Sequence, residues 1–127
     1  MTTRIALVAH DAKKDQMVKW AKGNAGALRN FEIFATGTTG KRLSEDAGLS
    51  AERLLSGPLG GDAQLGAMIA QSDLDALIFF IDPMTPMPHD VDVKSLLRLA
   101  ILYDTQLAVN QATATAVLAC MVQGKTE

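Results

Sequence analysis

Aromatic side chains are scarce in this chain: one Trp, one Tyr and four Phe make up 5% of its 127 residues. Stacking surfaces for single-stranded nucleic acid need ring platforms, and so few rings argue against that design. A surplus of one charge is missing too. Twelve Lys and Arg stand against fourteen Asp and Glu, for a formal net charge of -2, so there is no broad basic field for a polyanion or an acidic membrane, and any positive site must be local. Cys120 is the single cysteine, which excludes an internal disulfide framework and a cysteine-built metal site. Set in an apolar stretch, it reads as a buried, inert thiol. The start Met1-Thr2-Thr3-Arg4 is polar and runs straight into a strand-like segment, unlike a secretory leader. Apolar runs such as Ala76 to Ile81 fall far short of the roughly 20 residues that span a bilayer. The expectation is a cytoplasmic protein with no nucleic-acid or membrane partner and a small ligand.

What is present is an aliphatic chain: hydrophobic residues are 48% of the total, enough for one domain, 1–127, in the range where a single core buries roughly two-thirds of the unfolded surface. Runs rich in β-branched residues recur at Arg4 to Ala9, Phe31 to Thr36, Ala51 to Leu55, Ala76 to Ile81 and Gln106 to Asn110. Ile78, Phe79, Phe80 and Ile81 are apolar without alternation, the mark of a parallel strand covered on both faces, and this run is expected to be central. Between the runs the period changes. Val93, Leu96, Leu97, Ala100 and Ile101 form the i, i+3, i+4, i+7, i+8 stripe of an amphipathic helix. Met17, Val18 and Ala21 support a helix after Asp11, with Gly23 and Gly26 at its end. Leu43 and Ala47 support one ending near Gly48, Leu65, Met68 and Ile69 one after Asp62, and a last helix covers Thr113 to Val122. The fold class that follows is α/β, a single-domain doubly wound sheet of about five parallel strands with helices on both faces. Such sheets bind ligands at the carboxyl ends of their strands.

Each expected strand is followed by polar groups: His10-Asp11, Thr36 to Gly40, Ser56 to Asp62, Asp82 to Asp90, and Asn110 to Thr113. Thr36-Gly37-Thr38-Thr39-Gly40 offers three hydroxyls, two glycines and a helix start, the ingredients of a phosphate site; equally, Thr38 or Thr39 is an N-cap and Gly37 an ordinary turn residue. It matches neither a Walker loop nor a dinucleotide fingerprint. Ser56-Gly57 and Gly60-Gly61 repeat the design, with bare backbone that a ligand can approach, ahead of Asp62 at a helix start. That position favours the ionised carboxylate, whereas Asp82, Asp90 and Asp92 nearby act in the opposite sense; Asp62 is either a base or an N-cap. His10 and His89 share this rim, and Lys14, one turn past His10, reaches the same anion or is solvated. No H-x-x-x-H or H-x-E spacing supports a metal site.

The set Val8-Ala9-His10-Asp11 with Lys14, Ala35 to Gly40, Leu55 to Asp62, Phe79 to Pro83 and Pro88 to Lys94 closely resembles the methylglyoxal synthase family, from about Ile5 to Thr113. The resemblance implies a phosphate-eliminating lyase that turns dihydroxyacetone phosphate into methylglyoxal and inorganic phosphate without metal or organic cofactor. It implies Asp62 as catalytic carboxylate and His89 as a donor beside the substrate's oxygens. It further implies phosphate binding by Lys14, Thr36, Thr38, Thr39, Ser56 and Gly57 with Gly37 beside them, substrate contact by His10, and Asp11, Asp82 and Asp92 as supporting acids. It implies a homohexamer. Longer members carry a tail whose arginine is linked to a phosphate response; this chain has no Arg after Arg98, which leaves that response open while phosphate is still expected to bind as product or competitor. The rival expectation is a phosphate- or phosphosugar-binding regulatory module of the same fold, as attached to carbamoyl phosphate synthetase. A receiver domain would need an Asp after the third strand, where Ser56 stands.

Overall fold

The apolar runs that suggested strands lie side by side in space, and the register between them decides where the polar strand ends meet. The computed structural model describes residues 3–84 and 90–126. In chain order these form β1 (Arg4–Ala9), α1 (Lys14–Gly23), α2 (Ala25–Leu28), β2 (Glu32–Thr36), α3 (Gly37–Asp46), β3 (Ala51–Leu54), α4 (Gly61–Ala70), β4 (Ala76–Phe80), α5 (Asp90–Leu102), β5 (Gln106–Ala108) and α6 (Gln111–Thr126). Short 3-10 turns at Asp11–Lys13 and Gly57–Leu59 lead into α1 and α4. The strands pair in parallel in the order β3-β2-β1-β4-β5. β1 is therefore the central strand and β4 its neighbour, not the centre itself.

Two apolar layers sandwich the sheet. Ile5, Leu7, Ile33, Ala35, Ile78 and Phe80 face one cluster, which takes Met17 and Trp20 from α1, Leu43 from α3, and Ala114, Leu118 and Met121 from α6. Ala6, Val8, Phe34, Leu77 and Phe79 face the other, closed by Leu65 and Ile69 of α4 and Leu96 of α5. Successive residues of a strand point to opposite faces, so a strand apolar at every position, as β4 is, needs cover on both sides. All five of its residues are buried. Among the described residues no helix is long and apolar enough to cross a membrane.

Several local expectations shift. The segment Thr36 to Gly40 is not a loop: α3 starts at Gly37, with Thr36 at the cap position and no side-chain capping bond, so neither Thr38 nor Thr39 is the N-cap. Gly37 takes a positive φ of 44° as the chain turns from β2 into the helix, a conformation glycine enters without steric cost. Asp62 is likewise inside the first turn of α4, with Gly60 as its cap. Gly23 ends α1, but Gly26 lies within α2. The strands end at Leu54, Phe80 and Ala108, short of the expected limits, and α6 runs from Gln111 to Thr126 rather than from Thr113 to Val122. α5 turns Val93, Leu96 and Leu99 toward the sheet and leaves Ile101 73% exposed, so its inward face is rotated from the stripe read in the sequence. Cys120 is exposed, not buried: α6 is apolar on nearly every face, and its buried positions are Ala114, Leu118 and Met121.

Candidate active site

With the order β3-β2-β1-β4-β5, the chain reverses its direction of travel across the sheet after β3, and the helices that follow β1 and β4 pack on opposite faces of the sheet. A crevice opens at such a switch point. The cavity there has a volume of about 320 Å³ and is lined by His10, Asp11 and Lys14 after β1, Thr36 to Thr39 after β2, Ser56 and Gly57 after β3, and Asp62 of α4. Val8, Ala9, Phe79 and Val93 supply apolar wall. Of the five polar strand ends on the expected rim, those after β1, β2 and β3 line the cavity.

The geometry of His10 is fixed from two sides. Its Nδ1 accepts the backbone N–H of Asp82 at 2.9 Å, so the neutral ring carries its proton on Nε2. Its edge meets Phe79 with ring centroids 5.0 Å apart at 75°, a favoured aromatic arrangement. The Asp82 side chain is 8% exposed and accepts the N–H of Met84 at 3.0 Å, which closes a turn at the end of β4. Asp82 thus holds His10 through its backbone and does not line the cavity.

Lys14 reaches the cavity with two partners: its Nζ lies 2.7 Å from Asp11 Oδ1 and donates to Thr38 Oγ1 at 2.6 Å. The ammonium therefore bridges the start of α1 to the start of α3. The Lys14 hydrogen bond, and then its charge, hold the Asp11 carboxyl below its ordinary value. Thr39 is 1% exposed, and its Oγ1 has no hydrogen-bond partner among the described residues. A buried hydroxyl left so costs on the order of 1–3 kcal/mol.

The segment after β3 lies close against the starts of both α3 and α4. A Cβ on Gly37 would come 3.0 Å from Ser56 Cβ, and one on Gly57 would come 3.3 Å from Asp62 Oδ1. The Asp62 carboxylate, partly buried, therefore lies against the bare backbone that follows Ser56. α3 begins at Gly37 beside the cavity and α4 brings Asp62 to it in its first turn, and helix N-termini favour a negative ligand. Chemically, the cavity offers hydroxyls, an ammonium, an imidazole and two carboxylates, that of Asp62 and that of Asp11 paired with the ammonium, within a volume that fits a small phosphorylated molecule.

His89 falls outside the described residues, and of Asp92 only its helical backbone in α5 is described. The fifth strand end has another task. Asn110 Oδ1 accepts the N–H of Thr113 at 2.9 Å, the pattern of a helix N-cap, and Gln111 pairs with Gln16 at 3.0 Å; neither lines the cavity. Two groups that sequence reasoning passed over are Phe79, the edge-on support of His10, and Gln64, whose Oε1 accepts the N–H of Leu55 at 2.8 Å. Gln64 follows Asp62 by two positions in a helix with no obvious polar face, so nothing in the pattern marked it.

A family model described as an MGS-like domain matches residues 16–109. The methylglyoxal synthase of Rhizobium rhizogenes is 61% identical over 111 residues, covering 87% of this chain and 88% of that protein. The chain belongs to the methylglyoxal synthase family. A second methylglyoxal synthase, from Rhizobium etli, is 57% identical over 115 residues, 90% of this chain and 91% of that one. The crystal structure of the methylglyoxal synthase from Elizabethkingia anophelis NUHP1 superposes with a TM-score of 0.87 at 52% identity, covering 92% of this chain and 77% of that chain. At that likeness the methylglyoxal synthase fold and the sheet order described above are the same architecture, α/β and doubly wound.

Proposed function

We propose that this chain, acting as one domain over residues 1–127, eliminates phosphate from dihydroxyacetone phosphate to give methylglyoxal and inorganic phosphate. The observation that carries this reading is the meeting of Asp62, His10, Lys14 and the hydroxyl-bearing ends of β2 and β3 in one cavity of a methylglyoxal synthase family member. The reaction needs three things: a base for a proton of the hydroxymethyl carbon, a donor at the carbonyl oxygen, and a cradle for the phosphate. Asp62 removes the proton and the electron pair moves onto the carbonyl oxygen as an enediolate. The hydroxyl on the deprotonated carbon then passes its proton to the enediolate oxygen, its own electron pair forms the aldehyde, the carbon–carbon double bond shifts toward the ester-bearing carbon, and the bond from that carbon to the ester oxygen breaks with its electrons leaving on phosphate. The resulting enol takes up a proton at its terminal carbon and gives its hydroxyl proton to the phosphate, becoming methylglyoxal. Substrate carbon, hydrogen and oxygen are all accounted for in the two products, and no metal or organic cofactor is invoked.

His10, with its proton on Nε2, suits the role of a donor to the substrate's oxygens. His89 is assigned the donor role at the carbonyl on the family resemblance. Lys14, Thr36, Gly37, Thr38, Thr39, Ser56 and Gly57 are assigned to the phosphate, on the support of their charge, hydroxyls and unobstructed backbone around the cavity. Asp11 keeps Lys14 in place and Asp82 keeps His10 in place; Asp92 is retained as a supporting acid. A cytoplasmic homohexamer completes the reading, supported by the exposed apolar side chains of Ile101, Leu102, Tyr103 and Val109.

The test is to give the purified chain dihydroxyacetone phosphate and to follow methylglyoxal and phosphate release together. Equal release of both is expected. Asp62→Asn should lower kcat by about 10²- to 10⁴-fold, the usual worth of positioned acid–base catalysis, while phosphate still binds. Phosphate binding without turnover by the parent would instead favour a regulatory module of the same fold, and full turnover by Asp62→Asn would remove Asp62 from the role of base.

A further inference from the structure

We infer that Gln64 is a positioning residue for phosphate binding, a clamp that holds the Leu55 to Gly57 backbone against the start of α4; the inference rests on the phosphate cavity proposed above. At about 3.6 residues per turn, Gln64 and Asp62 point to opposite sides of α4, and Gln64 is exposed and does not line the cavity. Its side chain nevertheless folds back so that Oε1 accepts the Leu55 N–H at 2.8 Å. Leu55 follows the last residue of β3, whose partner strand β2 stops at the pair Thr36 and Leu54. The sheet ladder ends there, and a side chain of the helix takes over as acceptor.

Two further contacts share the clamp. The Gly61 N–H donates to Ser56 O at 2.9 Å, and a Cβ on Gly61 would collide with the Leu55 carbonyl oxygen, so the loop lies directly on the first turn of α4. On its other side Ser56 abuts Gly37 at the start of α3. The loop is therefore wedged between two helix N-termini, with its spacing to Asp62 set by α4. The Gln64 bond is made by a side chain that does not line the cavity, so it can be deleted without altering the backbone or the cavity wall. Losing it frees the loop to move away from α3, which weakens the phosphate cradle while Asp62 stays in its helix.

The test uses Gln64→Leu and Gln64→Ala, both tolerated by exposed helix positions, and Gln64→Glu, which keeps an acceptor oxygen. One hydrogen bond is worth about 3- to 10-fold in binding. Gln64→Leu and Gln64→Ala are expected to raise the KM for dihydroxyacetone phosphate and the Kd for inorganic phosphate together by about that factor, with kcat within about 2-fold and its pH profile unchanged; Gln64→Glu is expected to lie close to the parent. A fall in melting temperature with KM and Kd unmoved would overturn the inference, as would equal losses in all three variants. Phosphate affinity is read by calorimetry without substrate, so a parent that binds phosphate but makes no methylglyoxal would fault the lyase reading alone and leave this comparison to be decided.

Discussion

Thr39 states the cost of a binding site most directly. It is 1% exposed and its hydroxyl is unpartnered among the described residues, a burden that a phosphate oxygen would relieve under the proposed function. Thr39→Val removes the burden and the benefit at once while keeping nearly the same shape. The expected outcome is a melting temperature, measured without ligand, equal to or above that of the parent, together with phosphate and substrate affinity lower by about 10-fold, the worth of one charge-assisted hydrogen bond. Thr39→Ser, which restores the hydroxyl, should recover most of the affinity. A clear loss of stability in Thr39→Val without ligand would mean that the hydroxyl is satisfied inside the protein and has no part in binding. Lys14 shows the complementary case. Bonded already to Asp11 and Thr38, it is held ready at the cavity, and a ligand meets a charge whose side-chain entropy is largely spent.

At the scale of elements, the site depends on how closely α4 approaches the end of β3. Gly61→Ala directs a Cβ into the Leu55 carbonyl oxygen, with Leu55 C and Ser56 C about 3.0 and 3.1 Å away. Backbone cannot step aside as a flexible side chain can, so the variant is expected to lose roughly 1–3 kcal/mol in chemical denaturation, as overpacked sites do, and to raise KM as the loop shifts. Gly26→Ala, where a Cβ meets nothing within 4 Å, is the control and should be neutral or slightly stabilising. Equal stability of the two variants would refute the close approach. The same elements explain what the sequence discloses. The unbroken apolar run of β4 signals two covered faces because a strand has only two, and the polar strand ends signal the rim because parallel strands share one direction. Gln64, Ile101 and Cys120 were not legible in this way. Gln64 acts through a contact to a residue nine positions earlier, which no periodicity records. The faces of α5 and α6 are blurred because both helices carry more apolar residues than the sheet covers.

That excess bears on the whole molecule. Leu97, Ile101 and Leu102 line a shallow cavity beside Lys94 and Arg98 on the outer side of α5, with Ile101 and Leu102 73% and 64% exposed and Tyr103 next to them. Single exposed apolar residues are ordinary, but a contiguous group rimmed by charge is the usual mark of a protein contact. Neighbouring β5 is a three-residue edge strand, short enough that strand pairing contributes little, so side chains of α5 would carry any association there. If copies of this chain assemble through that face, Ile101→Glu sets a charge in an apolar contact and costs association directly, while the monomer's own core is unaffected because Ile101 contributes nothing to it. Sedimentation or light scattering should then find the parent at the mass of a hexamer of the 13.5 kDa chain and Ile101→Glu in smaller species, with circular dichroism unchanged. An unaltered mass in the variant would move the interface to another face, and a monomeric parent would remove the hexamer from the reading. The cavity opens at the strand ends and is lined by this chain's own side chains, so turnover by the smaller species, if retained, would separate catalysis from assembly.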